Sequence, residues 1–475
     1  MKVLHVGWGY KPFRGGGLIE YAEDLMQVQA RNGYDVSYFC TGKSNIFVSK
    51  SKLKRWTNKG YKVFEVINPT IVSSLDNGVF YPAYDTNEPI TEKFFLEVVN
   101  EVQPDVVHFQ EFLGIPTSLI DHLKKLNIKT VFTVGDYFVL CPTVKLIKSD
   151  KQTCRITGPE LGRQCNICCT NALENGLRFR FYSSFPGLFN SKTWQTLKSV
   201  KNHVLKKTPV ANAVTVGINL IKEEEFNNRR AINLMALENI DVILPVSNKV
   251  ASIFRFYKPL DTIKVLHITL DHISLMQPVR FIHRQNEKIV FGIINVIGSL
   301  AKGNDLIFDV FDKLMLSDIR NKLEFKIFGY VKEEYQTRLK VYPFVKVIGK
   351  YKVKELSTLL EKHNINVGIV PSMWEEAYGL VGIEFLAKGI PVIGNNMGGI
   401  PDYVKNAETG WLNQTATAEE MFNIVSDIVN SPSEVERLSY NLIHNREKYI
   451  KTLNAHFSEI NTVYSQLLNE EVTYS

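Results

Sequence analysis

Apolar runs of strand length alternate with helical periodicity from one end of this 475-residue chain to the other. Such alternation indicates βαβ units and parallel sheets, and it comes in two successive series. The first opens with "KVLHVGWGY" (Lys2–Tyr10) and the amphipathic, glycine-closed "GLIEYAEDLMQVQARNG" (Gly17–Gly33). It continues through "YDVSYFC", "YKVFEVI", "PDVVHFQ" and "KTVFTVGDYF". After a long insertion come "VILPVS" (Val242–Ser247), the helical "NKVASIFRFY" and a strand, "IKVLHI". The polar, Pro-containing "QPVRFIHRQNE" (Gln277–Glu287) reads as a linker. The second series has strands "KIVFGII", "LEFKIFGY", "VKVIGKY", "INVGIVPS" and "IPVIGNN", with helical stretches between them. Two helices, near Glu434–Lys448 and Ala455–Asn469, finish the chain. A chain this long exceeds one ordinary core. The expected fold class is α/β with two Rossmann-like lobes: residues 1–278, with an insertion at about 141–231, and residues 279–454. Residues 455–475 would form a helix packing back toward the first lobe. Open α/β sheets bind ligands outside the carboxyl ends of their strands, so two such lobes facing across a cleft would place the chemistry there.

Hydrophobic residues make up 45% of the sequence and charged residues 22%, proportions of a globular rather than a disordered chain. No run approaches the roughly 18 apolar residues of a membrane span. The start, "MKVLHVGWGY", has the look of a buried strand and not of a signal peptide, so the expected location is cytoplasmic. The formal charge of +7 is unevenly spread. Between Asn175 and Thr208 stand Arg178, Arg180, Lys192, Lys198, Lys201, Lys206 and Lys207 and no acid, interleaved with Phe179, Phe181, Tyr182, Phe185, Phe189 and Trp194. A basic, aromatic stretch can lie in the headgroup layer of an anionic membrane, which would make the protein peripheral on the inner face of the cell membrane. The alternative is a solvated helical insertion with its aromatics in the core. No nucleic-acid-binding motif surrounds these residues, and no nucleic acid partner is expected.

The first strand runs into "GWGYKPFRGGGLIEYA", where Gly15, Gly16 and Gly17 open a helix. Bare backbone N–H groups at the positive end of a helix suit a phosphate, a sugar hydroxyl or a carboxylate. The dinucleotide fingerprint is not met, because the spacing differs and the second strand ends in "YFCTGKS" without an acid for a ribose. In the second series Lys302-Gly303 leads into a helix, where an ammonium could meet a diphosphate. Further on, "PSMWEEAYGLVGIEFLAKGIPVIGNNMGGIPD" (Pro371–Asp402) carries Glu376 just before a helix starting near Gly379, and Glu384 within it. The amides of Tyr378, Gly379 and Leu380 lie at that helix's N-terminus. Glu384 is enclosed by "LVGIEFLA", a stretch otherwise fit for burial, and a buried carboxylate without a partner is costly. A ligand partner is the expectation.

In order, "KGNDLIFDVFDKL", "FKIFGY", "VKVIGKY", "VPSMWEEAYGLVGIEFLAKGIPVI", "GGIPDYV" and "TGWL" resemble the retaining, nucleotide-sugar-dependent glycosyltransferases of glycosyltransferase family 4, which have the GT-B fold. The first lobe matches more loosely, through "GGGLIEYAEDLMQVQARNGYDVSYF", "PDVVHFQE", "VFTVGDYFVLCP" and "DVILPVSNKV". The resemblance covers most of the chain except roughly Cys154 to Ala231. It implies that Glu384 binds the ribose hydroxyls and that Glu376 sits at the donor sugar. Lys302 would neutralise the leaving diphosphate, helped by the amides of Tyr378, Gly379 and Leu380. The backbone at Met397, Gly398 and Gly399 would contact the donor sugar, and Gly16 and Gly17 would lie near phosphate or acceptor. No Asp-x-Asp pair stands ready to hold a cation, so lysine and helix end are expected to stabilise the departing diphosphate without a catalytic cofactor. Where the family usually has a His-Asp pair, this chain has Gly135-Asp136; Asp136 would take over the contact or act as a general base, which would permit inversion. A basic residue usual before the Lys-Gly pair is absent from "INVIGSLAKG".

Five of the six cysteines gather in one stretch: Cys141, Cys154, Cys165, Cys168 and Cys169. The C-x2-C step suits two thiolates on one tetrahedral metal, and Cys154 with Cys169 or Cys141 could complete a structural zinc site. Reduced buried thiols and an iron–sulfur cluster are the alternatives. The functional expectation is transfer of a hexosyl or N-acetylhexosaminyl group from a UDP-, GDP- or ADP-sugar to a polysaccharide or lipid-linked glycan, as in lipopolysaccharide or capsule synthesis. A catalytically silent GT-B protein that binds a glycan or scaffolds a partner enzyme, and a sugar-nucleotide epimerase, are the competing readings.

Overall fold

The computed structural model describes residues 1–11, 14–48, 50–71, 78–184, 216–282, 284 and 286–469. Of the basic-aromatic stretch, residues 185–208 lie outside these. The chain divides into two compact units, one of Met1–Leu244, Arg255–Lys264 and Asn461–Ser475, the other of Pro245–Phe254 and Val265–Ile460.

The first unit is built on a seven-stranded sheet: β1 (Lys2–Gly7), β2 (Asp35–Thr41), β3 (Lys52–Asn58), β4 (Tyr61–Ile67), β5 (Val106–Phe109), β6 (Lys129–Val134) and β7 (Val242–Pro245). Their spatial order is β3-β4-β2-β1-β5-β6-β7. β1 is fully buried beyond Lys2 and pairs in parallel with β2 and β5, which accounts for its continuous apolar reading. β3 departs from the expected parallel pattern: it runs antiparallel to β4 as an edge hairpin. Its sequence KLKRWTN alternates charged, mostly exposed residues, which suits an edge strand. The stretch "IKVLHI" is not a strand; a single bridge, Ile243 to Ile263, is all the ladder it makes. Its apolar residues Leu266 and Ile268 are buried nonetheless. The last helix, Leu453–Asn469, brings the buried Tyr464 hydroxyl 2.6 Å from His108 Nδ1 within the first unit.

The second unit holds a six-stranded, wholly parallel sheet: β8 (Ile289–Ile294), β9 (Leu323–Phe328), β10 (Val345–Gly349), β11 (Val367–Val370), β12 (Val392–Asn395) and β13 (Gly410–Asn413). The order is β10-β9-β8-β11-β12-β13. Phe291, Phe311, Phe325 and Phe344 centre a core between this sheet and the helices Asn304–Met315 and Ala418–Asn430. In each unit the strand order reverses beside the first strand, at β1/β5 and at β8/β11. Those are the switch points where an open α/β sheet leaves a crevice for a ligand.

Candidate active site

At the β8/β11 switch point, two loops are locked together by backbone. After β8 the chain turns through Gly298–Gly303 into the helix Asn304–Met315, and Asn304 Oδ1 accepts the Gly298 N–H at 2.8 Å. After β11 comes the acidic segment. The Met373 N–H donates to the Ala301 carbonyl at 2.8 Å. Gly303, at φ +85°, lies so close to Pro371 that a Cβ there would stand 2.0 Å from the Pro371 carbonyl oxygen. Lys302 is thereby carried beside the segment that holds Glu376, half-buried and, among the described residues, in no ion pair. A lysine held at a strand end without a carboxylate partner is available to an anion.

The acidic segment is fixed from below. Ser372, 2% exposed, donates its hydroxyl to Glu376 Oε2. Glu375 is buried, accepts the Gly398 N–H at 3.2 Å and pairs with Lys249 Nζ at 3.3 Å. The Gly399 N–H donates to the Glu376 carbonyl at 2.7 Å and the Met397 N–H to the Asn395 carbonyl at 2.7 Å. A Cβ at Gly398 would meet Glu376 backbone at 2.2 Å, and one at Gly399 the Ala377 carbonyl at 2.4 Å. The glycine pair therefore lets two backbones touch, and its amides hold the Glu375–Glu376 turn.

The helix Leu380–Ala387 begins with Gly379 in the left-handed region at φ +76°, and no side chain caps it. Its first amides thus have no intrahelical acceptor, the condition under which a helix start takes an anion. Tyr403 packs beneath, donating to the Gly379 carbonyl at 3.0 Å. Tyr378 is stacked on His267, centroids 5.2 Å apart, and His267 Nε2–H donates to Asp402 Oδ2 at 2.9 Å. Asp402 also accepts the Asn248 N–H at 2.8 Å; despite its burial, these bonds from His267 and Asn248 hold its carboxyl below the usual range. Glu384, 7% exposed, accepts from His272 Nε2–H at 2.8 Å through Oε1, its one hydrogen bond among the described residues.

At the β1/β5 switch point the first unit carries a second cluster. Gly15, Gly16 and Gly17 are exposed, with open space where a Cβ at Gly15 or Gly16 would stand. The helix Gly17–Arg31 that they open has no side-chain cap. Behind them Arg14 is 4% exposed, stacked over Trp8 at 4.4 Å, with Nε and Nη1 unpartnered among the described residues. Two carboxylates face this interior. Glu111 Oε1 accepts the Trp8 N–H at 3.2 Å, and burial, then the nearby Asp136 charge, pushes its carboxyl up to about 8. Asp136 accepts the Phe138 N–H at 2.8 Å through Oδ1 and, among the described residues, keeps Oδ2 shielded and unpartnered; burial raises it to about 6. The turn after Asp136 is anchored by the buried ion pair Arg229–Asp85 at 2.6 Å, since Arg229 Nη2 also donates to the Phe138 carbonyl at 2.7 Å. At Gly135 a Cβ would meet Leu18 Cδ2 at 2.1 Å, so Leu18 fills the space a larger residue would need. Sequence reasoning found Asp136 but missed Glu111, Arg14 and His272. Only the strand order shows that Glu111, just beyond β5, neighbours Asp136, just beyond β6.

Cys141, Cys154, Cys165 and Cys169 are buried and Cys168 partly so; all are free thiols. Cys141 lies within electrostatic reach of Cys165, Cys168 and Cys169, and Cys165 and Cys169 pack with Leu161, Ala172 and Phe226. Among the described residues no group of three or more His, Cys, Asp or Glu side chains is arranged to hold a metal ion.

The fold class is GT-B. A sucrose-phosphate synthase from Thermosynechococcus elongatus matches over 99% of each chain with a TM-score of 0.61 at 15% identity. A glycosyltransferase from Rickettsia africae matches over 98% of each with a TM-score of 0.58 at 14% identity. Anabaena HepE, in complex with UDP and glucose, matches over 98% of this chain and 99% of its own, with a TM-score of 0.53 at 14% identity. At such identities the likeness is one of fold. In sequence, residues 279–444 match the family described as Glycosyl transferases group 1, which places that family's pattern on the second unit. D-inositol 3-phosphate glycosyltransferases of Rhodococcus erythropolis and Rhodococcus jostii are each 39% identical over 70 residues. That stretch is 15% of this chain and only 16% and 15% of those relatives.

Proposed function

We propose that the protein is a glycosyltransferase that moves a sugar from a nucleoside-diphosphate sugar to a glycan or lipid-linked glycan acceptor. The observation that carries the reading is the lock between Gly303 and Pro371, which gathers Lys302, Glu376 and an uncapped helix start at one switch point. Lys302 and the amides of Tyr378, Gly379 and Leu380 take the diphosphate, Glu384 the ribose, and Glu376 the hydroxyls of the donor sugar. Cleavage of the sugar–phosphate bond develops positive charge at the anomeric carbon and negative charge on the leaving diphosphate, and the ammonium with the fixed amides stabilises the latter. The HepE complex with UDP and glucose supports UDP as the first nucleotide to try, and transfer of a hexosyl or N-acetylhexosaminyl group with retained configuration follows the family resemblance.

Glu111 and Asp136 are the candidate acid–base pair on the acceptor side; a base acting there on the acceptor would permit inversion in place of retention. Their environments push both carboxyls upward, the setting in which one proton is held near neutral pH and can be exchanged with an acceptor hydroxyl. A catalytically silent GT-B protein is the second reading, favoured by Leu18 filling the space beside Gly135. Release of sugar from UDP-, GDP- and ADP-sugars without acceptor separates the two: slow release abolished by Glu376→Ala supports the enzyme, and no release with any donor or acceptor supports the silent protein. No helix among the described residues is long and apolar enough to cross a membrane; peripheral attachment on a cytoplasmic membrane face is tested by sedimentation with anionic liposomes. A structural zinc on Cys154, Cys165, Cys168 and Cys169, with Cys141 as alternative ligand, would require these sulfurs to close in. One equivalent of zinc per chain is the result that supports it.

A further inference from the structure

We infer that His272 is a positioning residue for the nucleotide's ribose, acting through Glu384; the inference rests on the donor reading above. Glu384 lies in the apolar helix Leu380–Ala387, where Ile383 and Phe385 on either side are buried. A carboxylate there needs a polar partner, and the described residues offer it one, the His272 Nε2–H at 2.8 Å. That bond uses one oxygen, Oε1. The second oxygen has no partner among the described residues, and an ionised carboxylate keeps acceptor capacity on both. Bonded through Oε1, the group is held in a fixed plane, and its second oxygen is left to accept from a ribose hydroxyl.

His272 is itself held to the helix it serves. It stands in the short helix Asp271–Leu275, whose Ile273 is fully buried. Arg446 spans the ends of both helices: Nη2 donates to the Met276 carbonyl at 2.8 Å and Nη1 to the Ala387 carbonyl. The Leu453 N–H donates to Ser274 Oγ at 2.8 Å, tying the same short helix to the chain beyond. A guanidinium clamped on two carbonyls at the carboxyl ends of two helices also opposes their partial negative charge. The histidine's helix and the carboxylate's helix are thereby tied to each other. The ribose then meets a pre-oriented acceptor and pays less ordering entropy on binding.

The test is calorimetric titration of the full chain with UDP, GDP and ADP and with the 2′,3′-dideoxy form of each, comparing the unaltered protein with His272→Ala and His272→Gln. The unaltered protein prefers the ribonucleotide of its own base over the dideoxy form. His272→Ala loses about tenfold of that preference, the order of one charge-assisted hydrogen bond, while affinity for the dideoxy nucleotide is unchanged. His272→Gln, which can still donate to Oε1, keeps most of the preference. In turnover the donor KM rises with little change in kcat. Full preference retained in His272→Ala overturns the inference and leaves the donor reading standing. An unaltered protein that binds none of the nucleotides, or does not distinguish ribose from dideoxyribose, overturns both.

Discussion

Gly303 and Pro371 touch so closely that position 303 has no room for a side chain: a Cβ would lie 2.0 Å from the Pro371 carbonyl oxygen. The contact joins the loops after β8 and β11, and the placement of Lys302 depends on it. Gly303→Ala would add this clash to a strained left-handed backbone at φ +85°. The expected cost is about 1–3 kcal/mol of stability, read from urea denaturation, together with weaker nucleotide binding. A variant as stable as the parent would show that the two loops are not locked.

Lys302→Ala tests the diphosphate contact separately from the fold, because the side chain makes no ion pair among the described residues. Removing a charge that stabilises the leaving group lowers kcat by roughly 10²–10³-fold, the scale seen when one preorganised donor is removed. The circular dichroism spectrum and melting temperature should not move. A loss confined to KM would assign Lys302 to ground-state binding instead.

Glu111 makes stability depend on pH in a definite direction. Its carboxyl, ordinarily near 4.5, is raised to about 8 by burial and by Asp136. Between those values the native chain keeps a proton that the unfolded chain has released, so stability falls as pH rises, by at most ~1.4 kcal/mol per pH unit. Asp136, raised from 3.8 to about 6, adds the same trend in a lower window. Denaturation midpoints of Glu111→Gln between pH 5 and 8 should fall less steeply than those of the parent. Parallel curves would remove the proton from Glu111.

Among the cysteines Cys168 alone is partly exposed, and Gln164 Nε2 donates to its sulfur at 3.3 Å. Treatment of the native chain with an aromatic disulfide, followed by peptide mapping, should label Cys168 first, with Cys40, Cys141, Cys154, Cys165 and Cys169 reacting only on unfolding. Equal labelling of Cys165 or Cys169 would contradict the packing against Leu161 and Phe226.

Much of the two sheets was legible because a strand buried on both faces is a continuous apolar run, as β1 and β8 are. β3 was not, since an exposed edge strand of lysine, arginine and asparagine has no such run to find. "IKVLHI" misled for the opposite reason: buried Leu266 and Ile268 look like strand residues but pack as irregular chain. At the site, Glu376 and Glu384 stood out because carboxylates interrupt apolar surroundings, and Lys302 because with Gly303 it leads into a helix. The roles of Gly398 and Gly399 could not be read in advance, because what passes within 2.2 Å of Gly398 is the backbone of Glu376, a matter of tertiary approach. Glu111 and His272 were invisible for a similar reason, each depending on a neighbour distant in sequence.

The placement of the diphosphate is tested most directly by a crystal structure of the chain with its nucleotide sugar. The account predicts phosphate oxygens within hydrogen-bond distance of Lys302 Nζ and the Leu380 N–H, and ribose hydroxyls on Glu384. A nucleotide bound with its phosphates away from both groups would contradict it.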